Sequence, residues 1–250
     1  AAEPPPSCLP MWRTTFLQAM NEPPACHLLA AACLACSAGC NDGRESNSQG
    51  EKVHKLAKLN TPIFWAEGHP GSLDRENWII EVVGACDSPR VFTWQDLNAL
   101  PQREVDARLT SVTRWSVRGI WKGVPLSVIL ERVGMRPSCK YVRFWSVGLV
   151  YDTSIPLENA LQEKTLLAHS FDGELLTEDY GGPLRVFNPY LWGYKSAKSV
   201  VKIELMDYYI PGYWEKRGYT DSAEIEAGPC RDMNEGGKIK QIEGPGEVTF

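Results

Sequence analysis

The chain has 250 residues, enough for one ordinary domain with appendages. Apolar residues make up 43% and charged residues 23%, which sets aside disordered and fibrous classes in favour of a globular protein. Lys and Arg number 26 against 31 Asp and Glu, a formal net charge of −5, which argues against bulk attraction to nucleic acid. Any positive charge that matters must act locally.

The first part of the chain reads as a targeting signal. Residues 1–10 look like sequence upstream of a true start at Met11. Cys26 to Cys40 is an apolar run of signal-peptide length, too short to span a bilayer. Ser37, Ala38 and Gly39 precede Cys40, and polar Asn41-Asp42-Gly43 follow it. This pattern is similar to a bacterial lipoprotein cleavage box with Cys40 as the lipidated residue. On that reading residues 1–39 are a signal region and 40–58 a polar tether. The protein then sits on the periplasmic side of a bacterial membrane, held by its lipid anchor only. Cys33, Cys36 and Cys40 also have cluster-ligand spacing. The Ala, Leu and Ser between them favour the signal, since an iron–sulfur loop needs a folded scaffold and a fourth ligand. Past Cys40 the thiols are Cys86, Cys139 and Cys230, an odd number that argues against a disulfide framework. A single Cys139–Cys230 bridge is left open by elimination.

A domain is expected over residues 59–225. Trp78 to Gly84 is rich in β-formers and reads as a strand. Thr93 is placed to cap a short helix through Leu100, stopped by Pro101. Pro125 to Val133 reads as a helix with Pro in its first turn and Gly134 at its end. Tyr141 to Ser146 alternates large residues as a strand does. Pro156 to Leu161 is a short helix, and Thr165 to Phe171 a strand ending at the Asp172-Gly173 turn. Ser199 to Met206 alternates Val, Ile and Leu as a further strand. Short strands with a few short helices, lacking βαβ regularity, indicate an α+β fold. Residues 226–250 are polar and Gly-rich and are expected as a C-terminal tail.

The chemistry concentrates late in the chain. Tyr180-Gly181-Gly182-Pro183-Leu184-Arg185 and Trp192-Gly193-Tyr194-Lys195-Ser196-Ala197-Lys198 set an arginine, two lysines and a serine among glycines. Arg offers a planar fork of donors, Lys a mobile point charge, and Gly a close approach to backbone. An anionic group such as a phosphate needs these features. A Gly-rich loop with solvated lysines is the alternative. Histidines 27, 54, 69 and 169 have no zinc-ligand spacing, and no Gly-x-Ser-x-Gly, P-loop or Rossmann fingerprint occurs.

Other segments stand around this stretch in a fixed order. They are Thr110-Ser111-Val112-Thr113-Arg114-Trp115-Ser116, Trp121-Lys122-Gly123-Val124-Pro125-Leu126 and Lys140-Tyr141-Val142-Arg143-Phe144-Trp145-Ser146. Leu166-Leu167-Ala168-His169 and Pro211-Gly212-Tyr213-Trp214-Glu215 follow. From about Asn60 to Tyr219 the series resembles the sulfite-oxidase-like molybdopterin-binding domain, in the bacterial branch that carries Cys-Val-Thr-Arg-Trp-Ser. The resemblance implies an α+β fold of mixed sheets with short helices, and the molybdenum cofactor, a pterin with a dithiolene pair and a terminal phosphate. It also implies two-electron or oxygen-atom transfer on a small oxyanion or sulfoxide. With no Cys-x-x-Cys-His motif for haem, electrons pass to a separate carrier.

By this resemblance Arg185, Ser196 and Lys198 fall on positions that hold the pterin and its phosphate. Lys195 lies beside them, placed to help or to face solvent. Ser146 falls on a polar cofactor contact, and Tyr180 stands where the family has His or Asn. Phe64 approximates an early aromatic contact. Arg114 is the candidate catalytic residue, orienting an oxyanion substrate; a structural arginine paired with Asp or Glu is the alternative. Trp115 and Trp214-Glu215 read as packing. Ser111 occupies the position of the metal-binding cysteine. A thiolate is soft and readily formed, whereas serine binds as a hard alkoxide. Three outcomes stay open: an active enzyme with an oxygen ligand, a cofactor-binding protein without the chemistry, and a binding or partner module.

Overall fold

The structure is a computed structural model and describes residues 61–66 and 68–250. The signal region, Cys40 and the tether expected over 40–58 lie outside the described residues. Two sheets organise the rest, as expected for the α+β class. The first comprises β1 (Ile79–Gly84), β2 (Arg90–Thr93), β5 (Tyr141–Ser146), β6 (Asp152–Pro156) and β10 (Val200–Met206), in the order β2-β1-β10-β5-β6. Only its β1–β10 pair is parallel, with Glu81 opposite Lys202 and Gly84 opposite Leu205.

The second sheet is built on a long hairpin, β3 (Arg103–Ser111) and β4 (Trp115–Pro125). β3 pairs β4 along its length, from Arg103 opposite Gly123 to Ser111 opposite Trp115. β7 (Leu166–Phe171) pairs the far end of β4, while β11 (Gly228–Asp232) runs parallel to its start at Trp115 and Ser116. β8 (Glu174–Leu175), β9 (Arg185–Phe187) and β12 (Lys238–Ile242) complete the sheet. Residues 226–250 are therefore no tail. Their alternating strands add a hairpin to the domain, sealed by Arg108 and Lys240 on Asp232, 3.0 and 2.8 Å away.

Local chemistry sets the helices. α1 (Trp94–Ala99) starts at Thr93, whose hydroxyl accepts the Asp96 N–H while the Asp96 carboxylate accepts the Thr93 N–H, a reciprocal capping box. α2 (Leu126–Val133) buries Leu126, Ile129, Leu130 and Val133 and stops at Gly134, where φ is 69°. Pro125 closes β4 just ahead of it, so the proline sits one place earlier than the first turn. α3 (Leu157–Ala160) is a single turn. Cys86, Cys139 and Cys230 are buried and free, so the Cys139–Cys230 bridge left open by elimination is not formed. Burial pushes all three thiols up.

Two apolar clusters result. The larger joins the first sheet and α2. The smaller lies on the second sheet around Trp121, which stacks on Phe187 at 4.5 Å and meets Phe171 edge-on at 4.7 Å. Tyr151 and Tyr194 of the larger cluster and Leu109 and Tyr180 of the smaller line one shared cavity.

Candidate functional site

The cavity has a volume of about 460 Å³, within the range of small-molecule sites. One wall is the irregular segment Thr61–Ala66. A second is the tip of the β3–β4 hairpin, with Ser111, Val112 and Thr113. A third is the stretch from Tyr180 to Lys198, and Ser146 and Tyr151 close the interior.

The hairpin tip is a three-residue loop. Arg114 adopts φ 63°, and its N–H donates to Ser111 O at 2.9 Å. A left-handed residue after a tight turn is the usual way such a loop rejoins its strand. The Arg114 side chain turns away from the cavity lining. Its Nη1 donates to Glu226 O at 2.9 Å, its Nη2 pairs with Glu226 Oε2 at 3.4 Å, and the guanidinium lies 5.0 Å from the Trp192 ring centre. The candidate catalytic residue is thus engaged by a chain segment beyond the matched motifs, which supplies a carboxylate and carbonyls, the contacts its structural alternative calls for. Trp115, expected to be packing, lines the cavity as well as touching the smaller core.

Arg185 brings a buried charge to the site. It opens β9, its side chain is buried, and it lines the cavity. Its Nη1 donates to Tyr180 O at 2.8 Å and its Nη2 to Ser196 O at 3.3 Å, and Trp121 lies 5.5 Å away. These partners are neutral. Burial lowers its pKa to about 10, so it stays charged at neutral pH. A buried guanidinium held by carbonyls alone is a standing demand for an anion.

Lys198 supplies a second cation on the same wall. Its Nζ donates to Phe64 O at 2.8 Å and Asp179 O at 3.1 Å and lies 4.7 Å from the Trp65 ring centre. Gly181, at φ 93°, makes room for it, since a Cβ there would stand 2.7 Å from Lys198 Cγ. Ser196 Oγ accepts the Asn188 N–H at 3.2 Å and lines the cavity. Phe64 lines it too and leans on Trp214, with ring centres 5.8 Å apart.

Lys195 departs from expectation. It neither lines the cavity nor faces solvent. Its ammonium is fully buried, donating to Ser154 O at 2.8 Å and to Glu215 Oε1. Lys195 ends the tight turn Gly193–Lys195 and Ser196 follows it as the cap, so the two neighbours project in different directions. Glu215, expected in a packed corner, is its counter-ion, while neighbouring Trp214 lines the cavity.

Three buried polar atoms around the cavity have no hydrogen-bond partner among the described residues: Trp65 Nε1, Ser146 Oγ and Tyr180 Oη. Burial, then Asp179, holds the Tyr180 phenol above its usual pKa, so it remains a proton donor. Unpartnered buried polar groups are costly and call for an explanation. A ligand carrying both an anion and a heteroatom-rich ring edge would satisfy them together with Arg185. A pterin with a terminal phosphate has that composition, so the residues present fit the molybdenum cofactor.

Trp65, Tyr151, Tyr194 and Tyr219 also line the cavity without having been expected there. Trp65 could have been found as the neighbour of Phe64. The tyrosines carry no local signal, since their positions depend on how the two sheets meet.

Residues 66–214 match the family model of the oxidoreductase molybdopterin binding domain. The chain belongs to this sulfite-oxidase-like family. It is 33% identical over 178 residues to the uncharacterized oxidoreductase YuiH of Bacillus subtilis, covering 70% of this chain and 89% of that protein. It is 34% identical to a putative protein-methionine-sulfoxide reductase subunit, YedZ1, of Azospira oryzae, over 62% of this chain and 59% of that one. The catalytic subunit MsrP of the protein-methionine-sulfoxide reductase of Ralstonia nicotianae is 29% identical, over 58% of this chain and 49% of its own length. The chain thus spans only about half of that relative. The sulfane dehydrogenase SoxCD of Paracoccus pantotrophus shares the fold, with a TM-score of 0.54 at 21% identity over 70% of this chain and 46% of that one.

Proposed function

We propose that this chain holds the molybdenum cofactor and reduces a small neutral sulfoxide, taking electrons from a separate carrier protein. The observation that carries the proposal is buried Arg185, charged and without a carboxylate partner among the described residues, beside three polar atoms likewise unpartnered there, in one cavity. Arg185 and Lys198 would hold the terminal phosphate, with Ser196 alongside. Trp65 Nε1, Ser146 Oγ and Tyr180 Oη would meet the pterin edge, and Ser111 would face the metal. When bound, the cofactor supplies the two-electron chemistry that converts a sulfoxide, two electrons and two protons into a sulfide and water.

The chain's own contribution is binding, orientation and exclusion of water. Around Ser111 the lining is Leu109, Val112, Thr113, Trp115 and Gly193, none of them charged. Arg114, the cation that would draw an oxyanion there, is occupied by Glu226. This favours a neutral sulfoxide over sulfite, as do the names of the methionine-sulfoxide reductase relatives. The test uses protein made in a host that inserts the cofactor. Molybdenum and pterin should approach one per chain; reduced viologen dye should be oxidised by methionine sulfoxide, and an oxidised acceptor such as ferricyanide should not be reduced by sulfite. A chain without pterin refutes the cofactor reading and leaves the binding-module alternative. Sulfite oxidation without sulfoxide reduction refutes the substrate class.

The location follows from the sequence reading alone: a lipid-anchored protein facing the periplasm, touching the membrane through Cys40. Among the described residues no helix is long and apolar enough to cross a membrane. Mass spectrometry should find diacylglycerol on Cys40, and an unmodified N-terminus would count against the anchor.

A further inference from the structure

Two groups of Thr113 converge on one atom at the hairpin tip. The Thr113 N–H donates to Ser111 Oγ at 3.2 Å, and the two hydroxyl oxygens stand 2.8 Å apart. Both residues line the cavity. A serine hydroxyl offers one donor and two acceptor positions. We propose, resting on the cofactor reading above, that Thr113 is a positioning residue that prepares Ser111 as an oxygen ligand to the metal. With the Thr113 hydroxyl as the donor of the pair, its N–H and hydroxyl take both acceptor positions of Ser111 Oγ and fix the side chain. The position of the O–H bond is then the single site open for another bond.

On ligation an oxygen–metal bond would replace the Ser111 O–H bond and the proton would pass to water, with no electron gained or lost by the protein. Once that proton has gone, Ser111 Oγ can only accept, so the Thr113 hydroxyl must be the donor of the 2.8 Å pair. The need for such a device follows from the ligand atom. A thiolate spreads its charge over a large, soft sulfur, while an alkoxide concentrates it on one small oxygen. Donors aimed at that oxygen stabilise it by charge-assisted hydrogen bonds.

Further bonds tie the loop down. Arg114 N–H ties back to Ser111 O, and the Arg114 guanidinium is bound by Glu226 and Ala227. The arginine expected at the substrate thereby anchors the loop that carries the ligand.

The test compares Thr113→Val and Thr113→Ser with wild type, each in the native and the Ser111→Cys background. Full-length protein from a cofactor-inserting host is assayed for molybdenum per pterin and for the Mo(V) electron paramagnetic resonance signal. In the native background Thr113→Val should lower metal per pterin about tenfold and change the signal, the scale of losing one hydrogen bond to a charged group. Thr113→Ser, which keeps both donors, should restore both. In the Ser111→Cys background Thr113→Val should change metal content by less than about twofold, because sulfur is a weak acceptor. An unchanged ratio and signal in Thr113→Val would overturn the proposal, as would an equal loss in both backgrounds, which marks a merely structural loop. Either result with pterin present leaves the cofactor reading standing. Wild-type protein lacking pterin overturns both.

Discussion

Replacing Lys195 with Met should destabilise the fold strongly while sparing cofactor binding. The Lys195 ammonium and the Glu215 carboxylate are both fully shielded from water. Burial pulls the Lys195 pKa down, and Glu215 pulls it back in part. Among the described residues Glu215 then keeps only the Thr153 hydroxyl, at 2.9 Å on Oε1, and its Oε2 already has no partner there. Stranding a buried charge in this way costs about 3–5 kcal/mol. For a domain of this size each kcal/mol shifts Tm by about 2–4 °C, so Tm should fall by roughly 6–20 °C. Removing both charges, as Lys195→Met with Glu215→Leu, should recover at least about half of the loss, since a buried pair is often neutral against apolar replacements. Urea denaturation and thermal melts of the four proteins of the double-mutant cycle measure this. A single variant within about 1 kcal/mol of wild type, with no recovery in the double, would refute the coupling. Pterin per folded chain should stay near the wild-type value in the double variant. Its loss there would return Lys195 to the cofactor site.

Two further outcomes follow from the charges. Arg185→Met should lower pterin retention by about 10- to 100-fold, the value of one shielded charge-assisted contact, as read from pterin fluorescence after gel filtration; full retention would exclude Arg185 as the phosphate group. For Asp232, burial raises the pKa, but the hydrogen bonds from Arg108 and then Lys240 outweigh it and leave the folded pKa below the ordinary carboxylate range. Its contribution is therefore present above the unfolded pKa and lost as pH falls through the folded one. Asp232→Asn should flatten the fall of the urea midpoint below about pH 4, and an unchanged slope there would refute the assignment.

Much of the local structure was set by short-range chemistry. The Thr93 cap, the Gly134 stop and the Asp172-Gly173 turn were legible because each rests on residues a few positions apart. Strands β1, β5, β7 and β10 fell where their apolar patterning placed them, within a residue or so at each end. Residues 226–250 were illegible as sheet because strand pairing is non-local. β11 gains its order from β4, over a hundred positions earlier, and from Arg108 on Asp232.

The same division runs through the site. Ser111, Ser146, Tyr180, Arg185, Ser196, Lys198 and Phe64 were each named from the order of motifs, and all line one cavity. Their types and their places in the chain were in the sequence. Which way a side chain points was not. Lys195 and Ser196 are adjacent in the chain, yet one is sealed against Glu215 and the other faces the cavity. Arg114 was read as a substrate group or as a structural arginine, and its partner Glu226 lies over a hundred positions away in the chain. A charge's role is decided by which opposite charge reaches it first, and those partners are brought together only by the packing of the two sheets. The sequence determined the family, the local elements and the chemical inventory of the cavity; the tertiary structure decided which of those groups are consumed by the fold and which are left for a ligand.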